Sequence, residues 1–223
     1  MSSYFTDLAQ QYIDGEWRPG TGSWDIIDFN PYDGEKLASI TIATVDEVDD
    51  AYKAAARAQK QWATTNPYAR RAVFEKALRL IEDREQDIAE AIIAELGGTR
   101  LKAAFELHLA KEFLREAVHL ALRPEGRILP SPVDGKENRV YRVPVGVVGV
   151  ISPFNFPFLL SLKSVAPALA AGNAVVLKPH QNTPIAGGTL LAKIFEDAGL
   201  PGGLLNVVVT DIAEIGDAFL EHP

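Results

Sequence analysis

An apolar run that stops at a proline constrains the fold of this chain most. Residues Val145 to Ile151 are all Val, Ile or Gly, and Val and Ile favour extended backbone. The run is too short to span a membrane and is typical of a strand that is buried on both faces of a parallel sheet. Pro153 cannot donate to a strand ladder, so the strand is expected to end before it. Gly146 and Gly149 predict that another backbone passes close to this strand.

The residues that follow this strand predict a β-α-β unit. Pro157 suits the first position of a helix, and Gly172 is a typical left-handed stop at its end. A second apolar strand, Ala174 to Leu177, is closed by Lys178. Ligands of such sheets bind beyond the carboxyl ends of the strands. We therefore expect Asn155 and Lys178 to face one crevice.

The same alternation of helices and strands continues to the end of the chain. It predicts a helix from Thr183 to Ala198, a strand from Leu204 to Val209, and a helix from Asp211 to Glu221. The last of these is expected to turn Ile212, Ile215 and Phe219 inward. Because crossover connections are right-handed, the strands form a parallel sheet. The expected fold class is α/β, with an open parallel Rossmann-type sheet.

The amino-terminal part predicts short strands followed by a helical segment. A hairpin is expected at Asp14-Gly15, with Trp24 to Phe29 as a further partner strand and Leu37 to Ile42 as another short strand. Three helices follow, which begin at a capping box of Thr44 and Glu47, at Asn66 and at Thr99. The second is expected to continue to Gly97. On the third, His108 and Glu112 form a helical pair that is more typical of solvated side chains than of a metal site.

Residues 124–143 differ from both flanking regions. They contain two prolines around Ser131 and a turn signal at Asp134-Gly135, placed between two alternating segments. This pattern predicts a β-ribbon that protrudes from the main core.

Composition excludes several classes of function. The chain has 223 residues and 47% hydrophobic residues, enough for a large core, and its net charge of -8 argues against a nucleic-acid partner. It has no cysteine, so no disulfide, thiolate metal site or cysteine nucleophile lies in these residues. The segment Met1 to Asp7 lacks the pattern of a secretory signal. We therefore expect a cytoplasmic protein that binds neither nucleic acid nor a membrane.

No common nucleotide-binding fingerprint is present. The Gly-x-Gly-x-x-Gly pattern is absent after the first core strand, and so is the lysine-bearing phosphate loop. The residues alone thus predict an open α/β sheet with a ligand at the strand ends. Asn155 offers two donors without charge, which suits either a ligand or an ordinary turn. Lys178 suits either a ligand or a solvated strand end.

Three motifs resemble those of the aldehyde dehydrogenase superfamily, namely Phe154-Asn155-Phe156-Pro157, Pro167-Ala-Leu-Ala-Ala-Gly-Asn173 and Leu177-Lys178-Pro179. The resemblance runs from about Tyr12 to the last residue and covers roughly the first half of a typical member. It implies oxidation of an aldehyde with NAD or NADP, through a cysteine thiolate and a glutamate-activated water. These 223 residues lack that cysteine, so we expect them to be inactive by themselves. Residues 95–103 also resemble the benzaldehyde or vanillin type of dehydrogenase.

The resemblance implies roles for individual residues. The Asn155 amide would donate to the oxygen that becomes anionic when the thiolate attacks, and Lys178 would hold the adenosine ribose. The other residues implied at the cofactor are Ile151, Ser152, Pro153, Phe154, His180, Gln181 and Gly203. Those implied along the aldehyde tunnel are Phe156, Leu159 and Leu160, and for the two leucines a place in the helix core stays equally open.

The sequence departs from the family pattern beside the lysine. The family often has glutamate where this chain has Gln181. A carboxylate there would repel the extra phosphate of NADP, whereas Gln181 leaves Lys178, and His180 when protonated, free to face it. Thr210-Asp211 replaces a glycine that many members have after the third core strand.

The resemblance also implies a division of the chain. Residues 1–123 and 144–223 would form an incomplete cofactor-binding domain, residues 124–143 an arm for a homodimer or homotetramer, and the catalytic domain would lie outside these residues. A plain surface hairpin is the alternative for the arm, although an isolated ribbon is only marginally stable. For function, the alternatives are a non-catalytic dinucleotide-binding or structural protein of the same fold, and a semialdehyde or acylating dehydrogenase.

Overall fold

A computed structural model describes residues 4–223 of the chain. The expectation that Met1 to Asp7 is not a secretory signal falls partly outside this range, because residues 1–3 are not described. The described strands are β1 (Gln11–Ile13), β2 (Glu16–Arg18), β3 (Asp25–Phe29), β4 (Lys36–Thr41), β5 (Arg127–Leu129), β6 (Asn138–Val140), β7 (Val147–Ile151), β8 (Ala174–Lys178) and β9 (Leu205–Val207). The described α-helices are α1 (Tyr4–Asp7), α2 (Val45–Thr64), α3 (Pro67–Asp83), α4 (Glu85–Leu96), α5 (Arg100–Leu120), α6 (Pro157–Ala170), α7 (Leu190–Ala198) and α8 (Ile212–Ile215). A π-helical turn, Ile185–Thr189, leads into α7.

The central sheet confirms the α/β fold class. Its strand order is β2-β1-β9-β8-β7, and β7, β8 and β9 run parallel. The sheet is mixed, because the hairpin of β1 and β2 adds antiparallel to β9, where Tyr12 pairs with Val207. The Asn206 side chain fixes the hairpin, since its oxygen accepts the Asp14 N–H at 2.9 Å. The predicted hairpin turn therefore also attaches the amino-terminal segment to the core sheet.

Strand β7 is less buried than its sequence predicts. Val150 is buried, whereas Gly149 is exposed and Ile151 is 56% exposed. The reason is its position at one edge of the sheet, where it pairs with β8 alone among the described strands. The expected close backbone is also wrong for Gly149, because a Cβ there would lie 2.5 Å from the Tyr52 hydroxyl and 3.2 Å from the Phe219 ring. Two aromatic side chains, rather than a backbone, require this glycine.

Helices cover the sheet and place its core. Helix α2 packs against β7, β8 and β9, while α6 packs against β7 and β8. Helix α5 packs on α6, and α3 packs on both α5 and α7. Gly172 follows α6 with φ 94°, the left-handed stop that the sequence predicts. The Trp62 indole of α2 donates to the Leu169 carbonyl at 2.8 Å and so joins α2 to the end of α6.

Three elements differ from the sequence-based expectation. Strand β3 pairs with β4 in a separate two-stranded sheet, so Trp24 to Phe29 is not a partner of the first hairpin. The helix expected from Asn66 to Gly97 is two helices, because Arg84 leaves helical geometry between α3 and α4. The helix expected from Asp211 to Glu221 is the single turn α8, which ends at Gly216, and Ile212 is exposed rather than inward.

The predicted ribbon is present. Strands β5 and β6 pair antiparallel, with Ile128 opposite Arg139, and form a sheet of their own among the described residues. Most of its side chains are exposed. No helix within residues 4–223 is long and apolar enough to cross a membrane.

Candidate functional site

The carboxyl ends of β7 and β8 lie side by side, as the sequence predicts. Ile151 is in register with Lys178, and the Ser152 N–H donates to the Lys178 carbonyl at 3.0 Å. The Phe154 and His180 rings then meet at a centroid distance of 5.1 Å. The segments 151–156 and 178–182 thus lie side by side at the carboxyl ends of β7 and β8, and we call them the strand-end site.

Asn155 lies in the turn between β7 and α6. It is exposed, and its side chain has no hydrogen-bond partner in the described part of the chain. Pro153 and Phe154, which precede it, are also exposed. The amide of Asn155 is therefore free to donate to a ligand, which an asparagine that stabilised its own turn would not be.

Ser152 turns its side chain away from this edge. It is 3% exposed, and its hydroxyl lies 2.6 Å from that of the buried Ser161. The Ser161 hydroxyl also donates to the Gly187 carbonyl at 2.5 Å. This contact ties the end of β7 and helix α6 to the π-helical turn after β8. The contact with a cofactor expected at Ser152 is therefore restricted to its backbone.

Lys178 is the cation of the strand-end site. It is half-buried, and it forms no ion pair with any side chain between residues 4 and 223. Burial lowers the pKa of its ammonium, and the negative charge of Asp211 partly opposes this effect. A half-buried ammonium without a partner fits a ligand that offers hydroxyl oxygens, such as the ribose of a dinucleotide.

His180 is expected to face the NADP phosphate as a cation only when it is protonated, and its surroundings disfavour that state. Its Nδ1 accepts the N–H of Asn182 at 3.1 Å, which leaves that nitrogen without a proton. Burial and the charge of Lys178 lower the pKa of the ring below its usual 6.5. His180 is consequently neutral at neutral pH, and Lys178 alone supplies positive charge here. Gln181, which follows His180 in the sequence, is exposed.

Gly203 does not join the strand-end site. It is buried just before β9, and Leu205 of that strand is in register with Val175 near the start of β8. A Cβ at this position would lie 2.9 Å from the Asp14 carboxylate. The glycine therefore allows the first hairpin to pack at the end of the sheet where β8 and β9 begin, and the contact with the adenine that the resemblance implies stays a prediction. No local signal separates the two roles.

The three residues expected along the aldehyde path fall into two groups. Phe156 and Leu160 are half-buried. Leu159 is 6% exposed and packs in the hydrophobic core, so the alternative of a core position applies to it. Phe156 is held by α5, because the Lys102 ammonium lies 3.9 Å from the centre of its ring and Phe105 packs on it edge-on.

Two buried glutamates hold the helices that begin at the strand-end site. Glu106 of α5 accepts the N–H groups of Phe158 at 2.9 Å and Leu159 at 3.2 Å, in the first turn of α6. Glu95 near the end of α4 accepts those of Ile185 at 2.8 Å and Ala186 at 2.7 Å. Both carboxylates thus take the place of a side-chain cap at a helix start.

The capping roles of these two glutamates are not among the expectations from the sequence, although the sequence does indicate that the Glu106 side chain is buried. Glu106 lies three residues after Ala103 and four before Ala110, on the inward face of an amphipathic helix, and both alanines are buried. A carboxylate at such a position needs donors from another element, although the pattern does not say which.

The environments of the two glutamates differ. Lys102 donates to Glu106 at 3.1 Å, and burial nevertheless raises the pKa of that carboxyl. Glu95 has Asp28 of β3 as its neighbour instead, and burial together with this second carboxylate raises its pKa well above the usual value. Burial raises the pKa of Asp28 to about 7. The Asp28 Oδ2 atom is buried without another hydrogen-bond partner among the described residues, so a proton shared with Glu95 would satisfy it.

One cavity adjoins the strand-end site, and a larger one lies away from it. A groove of about 360 Å³ runs from Phe154 past Thr183 to the Asp28–Glu95 pair. A larger cavity of about 580 Å³ lies at the base of the ribbon, between Arg127 and Asn173. Because Asn173 precedes β8, this larger cavity lies at the amino-terminal end of that strand, whereas Lys178 lies at its carboxyl end.

Within residues 4–223, no three His, Cys, Asp or Glu side chains are arranged to hold a metal ion. Glu112 instead pairs with Arg115 at 2.5 Å.

Almost the whole described chain matches one family. The sequence profile of the Aldehyde dehydrogenase family matches residues 17–223. The chain belongs to this family. The match includes both strand ends, so the resemblance of the short motifs to aldehyde dehydrogenases extends over residues 17–223.

Individual aldehyde dehydrogenases are similar over the same length. The chain is 60% identical over 219 residues to benzaldehyde dehydrogenase YfmT of Bacillus subtilis strain 168, covering 98% of this chain and 45% of that protein. It is 47% identical over 216 residues to a vanillin dehydrogenase of Corynebacterium glutamicum, covering 97% of this chain and 45% of that protein. A solved NAD-dependent benzaldehyde dehydrogenase from Corynebacterium glutamicum superposes with a TM-score of 0.94 at 47% identity, covering 97% of this chain and 47% of that one. The chain thus spans about half the length of these relatives.

The buried carboxyl pair leads to a prediction on stability. In the folded state the raised pKa of Asp28 keeps a proton that the unfolded chain releases near pH 3.8, so stability should fall as pH rises from about 4 to about 7. The slope for one proton is at most about 1.4 kcal/mol per pH unit. Urea unfolding of the intact protein at several pH values measures it, and Asp28→Asn should flatten the fall.

Asp25→Asn is the matched control, because Asp25 lies on the same strand with an exposed carboxyl. It should leave the fall in stability between pH 4 and 7 in place. An Asp28→Asn protein that loses stability with rising pH as steeply as the parent would refute the shared proton.

Proposed function

We propose that the intact protein is an NAD(P)-dependent aldehyde dehydrogenase that oxidises an aromatic aldehyde to its carboxylic acid. The observation that carries this proposal is the pairing of two unpartnered groups at adjacent strand ends, the exposed amide of Asn155 and the half-buried ammonium of Lys178. One suits a developing oxyanion and the other suits a ribose. The fold and the family membership support the same chemistry.

Asn155 is the group that acts on the reacting carbonyl in this proposal. A thiolate supplied by the rest of the protein attacks the aldehyde carbon, since these residues contain no cysteine. The carbonyl oxygen then gains negative charge, and the Asn155 amide donates to it. Because the amide makes no hydrogen bond within the described part of the chain, no such bond has to break when the oxyanion forms.

Lys178 and the backbone of residues 151–154 would hold the dinucleotide. Lys178 would donate to the ribose hydroxyls, and the exposed Pro153 and Phe154 would pack along the cofactor. Gln181 lies next to this path and carries no charge. When bound, the dinucleotide accepts the hydride that leaves the substrate.

An aromatic substrate is supported by two features. Phe156 presents a half-buried ring directly after Asn155, and its position is fixed by Lys102 and Phe105. Aromatic rings pack favourably on a fixed ring of this kind. The names of two similar proteins, a benzaldehyde dehydrogenase and a vanillin dehydrogenase, point to the same substrate class. Leu160 would complete this wall.

Residues 124–143 would serve as an oligomerisation arm of a homodimer or homotetramer, beside a cofactor-binding domain made of residues 1–123 and 144–223. The ribbon and the irregular segment that follows it expose a series of apolar side chains, namely Ile128, Leu129, Val133, Val140, Tyr141, Val143 and Val145. Exposed apolar strands favour pairing with another chain. The cytoplasm is the proposed location.

The first prediction of this proposal concerns Asn155. In the intact enzyme, Asn155→Ala should lower kcat by about a hundredfold or more, equivalent to roughly 3 kcal/mol, because one oxyanion donor is lost. The KM for the cofactor should stay within about twofold. Steady-state kinetics with benzaldehyde measures both, with Ser164→Ala on the exposed face of α6 as the control. A kcat within twofold of the parent would remove Asn155 from the reaction.

The second prediction concerns cofactor preference. Gln181 lacks the carboxylate that would repel the extra phosphate of NADP, so we expect measurable use of NADP beside NAD. A charge this close acts by roughly 1 kcal/mol after screening, which corresponds to about fivefold. Gln181→Glu should therefore shift the ratio of kcat/KM toward NAD by about fivefold. Gln86→Glu on α4 is the control, and an unchanged ratio in Gln181→Glu would show that this position does not contact the ribose.

The third prediction concerns the arm. Removal of residues 127–138 should lower the mass of the assembly that light scattering measures, because the strand edge that would pair with another subunit is lost. An assembly of unchanged mass would make the ribbon a plain surface hairpin.

A further inference from the structure

Helix α6 begins without a cap of its own. Its first residue, Pro157, has no N–H group, and Phe156 before it makes no side-chain cap. The N–H groups of Phe158 and Leu159 point instead at one oxygen of Glu106, at 2.9 and 3.2 Å. This glutamate lies 52 residues earlier and is fully buried. One distant carboxylate therefore fixes where α6 starts.

The same turn of α5 also holds the side chain beside Asn155. The Lys102 ammonium lies 3.1 Å from the second oxygen of Glu106 and 3.9 Å from the centre of the Phe156 ring. Phe105 packs on that ring at a centroid distance of 6.5 Å. Helix α5 thus holds the Phe156 ring through Lys102 and Phe105. Glu106 of the same helix holds the backbone at Phe158 and Leu159.

Stability alone gives no reason for a charge at this place. Helix α6 buries a large apolar face, and a buried ion pair is seldom more stabilising than apolar side chains of similar volume. The Asn155 side chain, in contrast, makes no hydrogen bond to any residue between 4 and 223 that would fix its position. An oxyanion donor must be held within a fraction of an ångström of its working position. The precision must come from its neighbours.

We propose that Glu106, neutralised by Lys102, is a positioning residue for Asn155. It holds the start of α6 so that the Asn155 amide faces the carbonyl oxygen of the substrate. The inference rests on the proposed dehydrogenase function, and it adds a residue outside the strand-end site to that mechanism.

The first test replaces Glu106 by Gln in the intact enzyme, which keeps the shape but turns one donor group toward Lys102. We expect kcat with benzaldehyde to fall about tenfold, because a small displacement of a reacting group lowers the rate strongly. The KM for NAD should stay within about twofold. Glu112→Gln is the matched control, since Glu112 lies on the same helix with an exposed carboxylate. Unchanged kcat in Glu106→Gln would overturn the proposal.

The second test repeats Glu106→Gln in the Asn155→Ala enzyme. If Glu106 acts through Asn155, the second substitution should lower the remaining rate by less than about twofold. A tenfold loss in both backgrounds would show a structural effect that does not involve Asn155, and would overturn the proposal. Lys102→Met, which keeps an apolar stem over Phe156, should behave in the same non-additive way and serves if Glu106→Gln folds poorly.

Amide hydrogen exchange separates this inference from the proposed function. Exchange at Phe158 and Leu159 should be faster in Glu106→Gln than in Glu112→Gln, and equal exchange would overturn the role of Glu106. Failure of the proposed function has a different signature. In that case the parent would not turn over aldehydes, or Asn155→Ala would keep its full rate, while the exchange difference persisted.

Discussion

The strand-end site depends on buried carboxylates that hold helix starts from a distance. The helices after β7 and β8 both begin at the edge where a ligand is expected, and the first N–H groups of a helix have no partner within it. Glu106 of α5 and Glu95 of α4 accept hydrogen bonds from these N–H groups. The outer helices therefore do more than cover the core. They fix the start of α6 just after Asn155 and the start of the π-helical turn that follows β8.

The negative charges of the two carboxylates are neutralised in different ways. Beside Glu106 lies a cation, Lys102, which also holds Phe156 next to Asn155. Beside Glu95 lies a second carboxyl, Asp28, so a proton takes the place of the cation. The start of α6 is thus held by a charged pair, while the π-helical turn after β8 is held by a carboxyl pair that shares a proton.

The sequence predicts what is encoded locally and misses what depends on distant contacts. Strand β7, the helix after Pro157 and its stop at Gly172 follow from neighbouring residues, and the structure contains all three. The partner of β3 could not be predicted, because either flanking strand has a suitable pattern. The capping roles of Glu106 and Glu95 join residues 52 and 90 positions apart, so no local motif reveals them. Gly203 is ambiguous in the sequence, since a glycine near a strand suits a ligand and a packed hairpin equally, and the structure shows the hairpin contact.

The central claim is that Asn155, held by its neighbours, donates to the oxygen of the reacting aldehyde. A crystal structure of the intact enzyme with an aldehyde trapped on its nucleophile tests it most directly. The account predicts the Asn155 side-chain nitrogen within about 3 Å of the former carbonyl oxygen, with the contacts of Glu106 to Phe158 and Leu159 retained. An Asn155 side chain turned away from that oxygen, in a site that is otherwise occupied, would contradict it.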